Sequence, residues 1–146
     1  MSEDSMQKLY VQQKLLEEHI PELESSISLL QDAIASYLSG KQVLEELAKR
    51  QADEPILIDI GGRINIAAKI VNTDKVLVSL GSGVRVEKSL EEAKSILEKK
   101  IEELNDHLAK YRQEYEKSVR QYSLIRETQE RAQAPTSAPQ KEGTGE

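Results

Sequence analysis

Two seven-residue apolar repeats of equal length, one on each side of a short stretch of different character, constrain this chain more than any other feature. In the first repeat, Met6, Gln13, Ile20, Ile27, Ile34, Lys41 and Ala48 fall in one row, and Leu9, Leu16, Leu23, Leu30, Tyr37 and Leu44 in the other. Eleven of these thirteen positions are apolar, at the alternating three-and-four spacing of a coiled-coil seam. The second repeat places Leu90, Leu97, Leu104, Tyr111, Ser118 and Ile125 in one row, and Lys94, Ile101, Leu108, Tyr115, Tyr122 and Gln129 in the other. From 6 to 48 and from 90 to 132, each tract ends 42 positions after it begins. Equal arms around a compact insert predict an antiparallel helical hairpin, each arm about 60 Å long, with both termini at the tip remote from the insert. Ser89 followed by Glu92 predicts a capping box where the second helix begins. Pro21 interrupts the first arm and predicts a tolerated kink, because it removes one helical hydrogen bond.

The insert has a period of two rather than three and a half. Ile56, Ile58 and Ile60 share a face, as do Ile64, Ile66, Ala68 and Ile70; Val76, Val78 and Leu80, then Val84 and Val86, continue the pattern. The alternate positions are mostly polar (Asp59, Arg63, Asn65, Lys69, Lys75, Ser79, Arg85, Glu87), with Leu57 and Leu77 as exceptions. This alternation predicts four half-buried strands. Gly61-Gly62 and Gly81-Ser82-Gly83 mark two tight hairpins, joined through the turn residues Asn72-Thr73-Asp74. Two helices already committed to each other along a seam cannot also cover a four-stranded apolar face. The cover is expected from other subunits, which makes the insert an assembly device.

Charge and composition exclude several classes. Residues 1–54 carry 5 basic and 11 acidic side chains, an acidic arm that repels phosphate backbones and argues against nucleic-acid binding. The chain has no cysteine, hence neither disulfides nor thiolate chemistry, which suits the cytosol. The polar N-terminus does not resemble a signal peptide, and no apolar run reaches membrane-spanning length. The two histidines, His19 and His107, lie on separate arms without metal-ligand spacing, and Gly81-Ser82-Gly83 is explained by a hairpin turn rather than a phosphate loop. No nucleophile–base pair, metal site or cofactor site can be assembled, so a non-enzyme is expected.

The stretch "PILIDIGG…AKIVNTDKVLVSLGSGVRVEKSLEEAKSILEKKIEEL" resembles the prefoldin family, and within it the alpha-type subunit in its archaeal form. The resemblance rests on the apolar first strand that closes on glycine at Ile56–Gly61, the "VLV…GSG" hairpin of Val76–Gly83 and the "VEKSLEEA" entry to the second helix at Val86–Ala93. The family often has Pro in the first strand and an aromatic in the second, where this chain has Asp59 and Asn65, and an aromatic after the second Gly-x-Gly, where it has Val84 and Arg85. The gamma-type subunit shares the two-hairpin insert and is a close alternative.

The resemblance implies an α+β fold: a long antiparallel two-helix coiled coil whose central two-hairpin β insert assembles into an inter-subunit β-barrel. The first helix is expected over residues 1–54, the hairpins over 55–88, the second helix over 89–132, and a disordered tail over 133–146. It also implies a cytoplasmic, ATP-independent chaperone, in which two alpha-type subunits join four beta-type subunits, hold unfolded proteins at the coil tips and pass them to a group II chaperonin. The candidate client-binding residues are Met6, Leu9, Tyr10, Val11, Tyr122, Leu124 and Ile125; Tyr10, Val11 and Leu124 lie off the seam rows. The candidate assembly residues are Ile56, Ile58, Ile60, Ile64, Ile66, Ile70, Val76, Val78, Leu80, Val84 and Val86. The alternatives are a filament or tether that polymerises through its hairpins, and an adaptor whose coil recruits one helical partner.

Overall fold

Each helix starts at a serine. The Ser2 hydroxyl accepts a hydrogen bond from the Ser5 N–H at 3.3 Å, and the Ser89 hydroxyl accepts one from the Glu92 N–H at 3.2 Å, so both first turns have a partner for an otherwise orphaned donor. In the computed structural model, which describes residues 2–133, the elements run α1 (Glu3–Leu47), β1 (Pro55–Gly61), β2 (Ile64–Lys69), β3 (Lys75–Gly81), β4 (Val84–Ser89) and α2 (Leu90–Gln133). The rest of the expected tail, 134–146, lies outside the described residues. The chain divides into a terminal unit, drawn from Met1–Ile27 and Lys110–Glu146, and a hairpin unit, Ser28–Ala109.

In the terminal unit the two helices run antiparallel along the expected seam. Leu23 and Ile125 are buried, and Ser118 is 1% exposed, so a small polar side chain is enclosed in the seam. Leu16, Ile20, Tyr115 and Tyr122 are half-buried beside them. Helix α1 continues through Pro21 without a break, although the ring leaves the Glu17 carbonyl without its usual partner.

The hairpin unit continues the pattern with one correction. Ile34, Ala93 and Leu108 are buried, and Leu30, Tyr37, Leu44, Leu97, Ile101 and Leu104 are half-buried. The expected seam position Ala48 is exposed and lies beyond the end of α1, whereas Leu47 is half-buried. Helix α1 ends at Leu47, so Ala48 lies past its last turn and Leu47 makes the final half-buried contact of the arm. Gly40 and Ala33, one and two heptads before Leu47, are half-buried beside the seam as well.

The two seam lysines have partners on the facing helix. The Lys41 ammonium lies 3.3 Å from Glu98, and Lys94 lies 3.4 Å from Glu45, each pair joining α1 to α2. The two pairs step by four residues in opposite directions along the helices, as an antiparallel register requires. Exposed pairs of this kind contribute little stability, so they mark the register more than they enforce it.

The insert consists of two separate two-stranded antiparallel sheets, β1–β2 and β3–β4. They repeat each other at an interval of twenty residues: Pro55 pairs with Lys69 and Lys75 with Ser89, and Gly61 pairs with Ile64 and Gly81 with Val84. Both carry a bulge, between Asp59 and Gly61 and between Ser79 and Gly81. Both close on a two-residue loop with positive φ at each position: 61° at Gly62 and 61° at Arg63, then 52° at Ser82 and 77° at Gly83. This is the type I′ turn, whose twist matches that of the flanking strands. Arg63, read from the sequence as an outward strand residue, is therefore a turn residue. The Asp59 carboxylate accepts the Gly61 N–H at 2.8 Å, and the Asn72 side chain accepts the Asp74 and Lys75 N–H groups, forming the expected turn between hairpins.

Two glycine substitutions should have opposite effects on the urea midpoint. A Cβ on Gly40 would meet the nearest Leu97 methyl at 3.5 Å, an ordinary contact, so Gly40→Ala should stabilise the chain by about 0.5–1 kcal/mol through helix propensity. At Gly81 the space is open but φ is +97°, so Gly81→Ala should cost about 1–2 kcal/mol through backbone strain alone.

Candidate functional site

Among the described residues, the strands keep part of their apolar faces uncovered. Ile58, Ile60, Ile64 and Ile66 in the first hairpin, and Leu80 and Val84 in the second, are all exposed, whereas Ile56, Val76, Val78 and Val86 are half-buried. The exposed residues cluster at the turn end of each hairpin and the partly covered ones at the end where the helices begin. Ile70 departs from the expected set: it lies beyond β2 and is buried, with its N–H donated to the Glu54 carbonyl and its own carbonyl accepting the Asp53 N–H. The chain itself uses Ile70 to close the base of the first hairpin. Leu57 and Leu77, the two exceptions to the alternation, occupy equivalent positions in the two hairpins, and both are exposed.

Two such apolar hairpins between paired helices, each closed by a Gly-bounded turn, are what the sequence resemblance implied, and residues 6–134 match the Prefoldin family, "Prefoldin subunit". The chain belongs to the prefoldin family. It is 33% identical over 106 residues to the prefoldin subunit alpha of Pyrococcus horikoshii, covering 72% of each chain. To human prefoldin subunit 5 it is 26% identical over 110 residues, covering 75% of this chain and 71% of the relative. A solved structure of filamentous PFD from Methanocaldococcus jannaschii aligns with a TM-score of 0.47 at 22% identity, covering 91% of this chain and all of that one.

The second set of candidate residues falls in the terminal unit, where the structure separates it into two faces. On one face, Tyr122 donates its hydroxyl hydrogen bond to Glu17 at 3.3 Å, and Lys14 approaches the same carboxylate at 3.4 Å while lying 5.5 Å from the Tyr10 ring centroid. This face is polar and linked by hydrogen bonds and charge. The other face carries a groove of about 380 Å³ lined by Gln12, Leu15, Leu16, Gln121, Leu124 and Ile125. Leu15 is 61% exposed and Leu124 62%, one on each helix, above a floor that includes the buried Ile125. Val11 is exposed one turn before Leu15, and Met6 and Leu9 are half-buried in the seam. Of the residues expected to present apolar surface here, Val11 and Leu124 do so on the groove side, whereas Tyr10 and Tyr122 belong to the polar network. Leu15 was missed by the sequence reading. The signal available was a leucine adjacent to the seam residue Leu16, the same arrangement as Leu124 beside Ile125.

Charge in this unit is local. Tyr115 donates to the Glu24 carboxylate at 3.2 Å, and that hydrogen bond, with the negative charge behind it, raises the phenol above its ordinary value. Lys14 is raised likewise by its hydrogen bond and ion pair with Glu17. His19 lies 3.5 Å from Glu114. Among the described residues no cluster of His, Cys, Asp or Glu could hold a metal ion, and no helix is long and apolar enough to cross a membrane.

Because the protonated phenol is the hydrogen-bonded form, Tyr115 supports the folded state below the pKa of a free tyrosine, and this contribution is lost as pH rises through its higher folded value. Glu24→Gln should lower the ultraviolet titration midpoint of Tyr115 towards that of a free tyrosine. A midpoint unchanged by the substitution would mean that the bond does not persist in solution.

Proposed function

We propose that this chain is an alpha-type subunit of a prefoldin chaperone, a non-catalytic holdase that needs no ATP. Two copies join four beta-type subunits through the hairpin faces, and the hexamer works in the cytoplasm. It captures unfolded proteins on the apolar groove of the terminal unit and releases them to a group II chaperonin. The observation that carries this reading is the groove formed by Leu15, Leu16, Leu124 and Ile125. A holdase needs apolar surface that is open to clients yet too small to drive its own aggregation, and a pair of exposed leucines flanked by amides meets both requirements. The uncovered faces around Ile58, Ile66, Leu80 and Val84 support assembly through the hairpins, since a lone two-stranded sheet is marginally stable in water.

A second reading is favoured by the equivalence of the two hairpins, which share register, bulge and turn. Copies of one chain could interlock through such equivalent surfaces and build a filament or tether without a second subunit type.

Native mass spectrometry of the chain alone and with a beta-type prefoldin subunit separates the two. One hexameric species on mixing is the expected result, and Ile58→Lys with Ile66→Lys should abolish it by burying unpaired charge. A ladder of homo-oligomers indifferent to the added subunit would favour the filament. In a light-scattering assay with a chemically denatured enzyme, the hexamer should suppress aggregation. Leu15→Ser with Leu124→Ser should reduce that suppression several-fold without changing the assembled mass, and full retention would remove the groove from client capture.

A further inference from the structure

The groove is walled by leucines but edged by amides, and the amides suggest what it holds. Gln12 and Gln121 stand on opposite helices, both exposed, and among the described residues neither makes a side-chain hydrogen bond. On the opposite face the neighbouring Gln13 is engaged with Glu17 at 3.4 Å. None of the six residues lining the groove is charged, in a unit whose other surfaces carry Lys14, Glu17, Glu24 and Glu114.

We infer that the groove binds an extended, uncharged polypeptide segment by its main chain, with Gln12 and Gln121 pairing with peptide N–H and C=O groups while Leu15, Leu16, Leu124 and Ile125 take its apolar side chains. This rests on the client-capture reading above and gives it a chemistry. A primary amide offers both donors and an acceptor, the complement of a peptide unit, so it can bond to main chain of any sequence. A neutral lining sets no charge requirement on an apolar segment and disfavours a charged one, which would be desolvated without a partner. Apolar side chains on an unfolded protein come attached to unpaired main-chain groups, and a purely greasy groove would leave those groups unsatisfied. The two amides answer that need at the edges, and recognition in this mode asks for apolar, uncharged character without a particular order of residues.

The test uses the full chain in its assembled form and a fluorescein-labelled, end-blocked peptide of alternating leucine and serine. A matched ester analogue replaces alternate backbone N–H groups with oxygen and keeps the side chains. The ester should bind roughly threefold to tenfold more weakly for each bond lost. Gln12→Leu with Gln121→Leu should weaken the parent peptide by a similar factor and no longer discriminate between the two. All four substituted positions, these two and Leu15 and Leu124, lie on the surface, and unchanged circular dichroism would verify that the variants fold. Equal binding of peptide and ester by the unsubstituted protein overturns main-chain recognition. Client capture would still stand if Leu15→Ser with Leu124→Ser reduces aggregation suppression. Absence of parent-peptide binding also overturns the inference, and if the leucine variants then lower the assembled mass, the occupant is a second copy of this chain.

Discussion

Two helices in contact along a seam can bury one stripe of each and little else. Both α1 and α2 spend their stripe on each other, from Leu23, Ser118 and Ile125 in the terminal unit to Ile34, Ala93 and Leu108 in the hairpin unit. Among the described residues none covers Ile58, Ile60, Ile64, Ile66, Leu80 or Val84, which remain exposed. The insert is thus defined by what its own chain cannot bury, and the features of the hairpins follow from that limit.

The hairpins hold their geometry through the backbone rather than through a core. Each is closed by two residues at positive φ and twisted by a bulge ending on a glycine with φ of 97°. Local turn chemistry can fix register in this way before any face is covered. It also explains why the two hairpins match so closely while sharing few identical strand residues. The base of the first hairpin is the exception, since buried Ile70 and its bonds to Asp53 and Glu54 tie it to the chain.

The terminal unit follows the same limit with a different outcome. A seam residue such as Leu16 or Ile125 has a neighbour in sequence that points past the seam, and when that neighbour is Leu15 or Leu124 the seam widens into an apolar groove. On the other side, Tyr10, Lys14, Glu17 and Tyr122 satisfy one another. One pair of helices therefore carries a greasy face and a polar one within the same few turns.

Much of this was legible in the sequence because it depends on local periodicity. The seven-residue repeats announced the helices, the two-residue alternation the strands, Ser89 the start of α2, and the glycine pairs the turns. The less legible parts depend on where two helices meet. Gln12 and Gln13 are adjacent and chemically identical, yet one edges a groove and the other bonds to Glu17. Ala48 fitted the repeat, but α1 ends at Leu47 and leaves Ala48 exposed past its last turn. Ile70 fitted the strand pattern and was taken into the chain's own interior. The sequence by itself determined which elements form and which face of each is apolar, since spacing along a chain sets both. Only the tertiary structure decided which apolar residues the chain covers and which it leaves open, because that depends on the angular position of each residue about the contact between two helices.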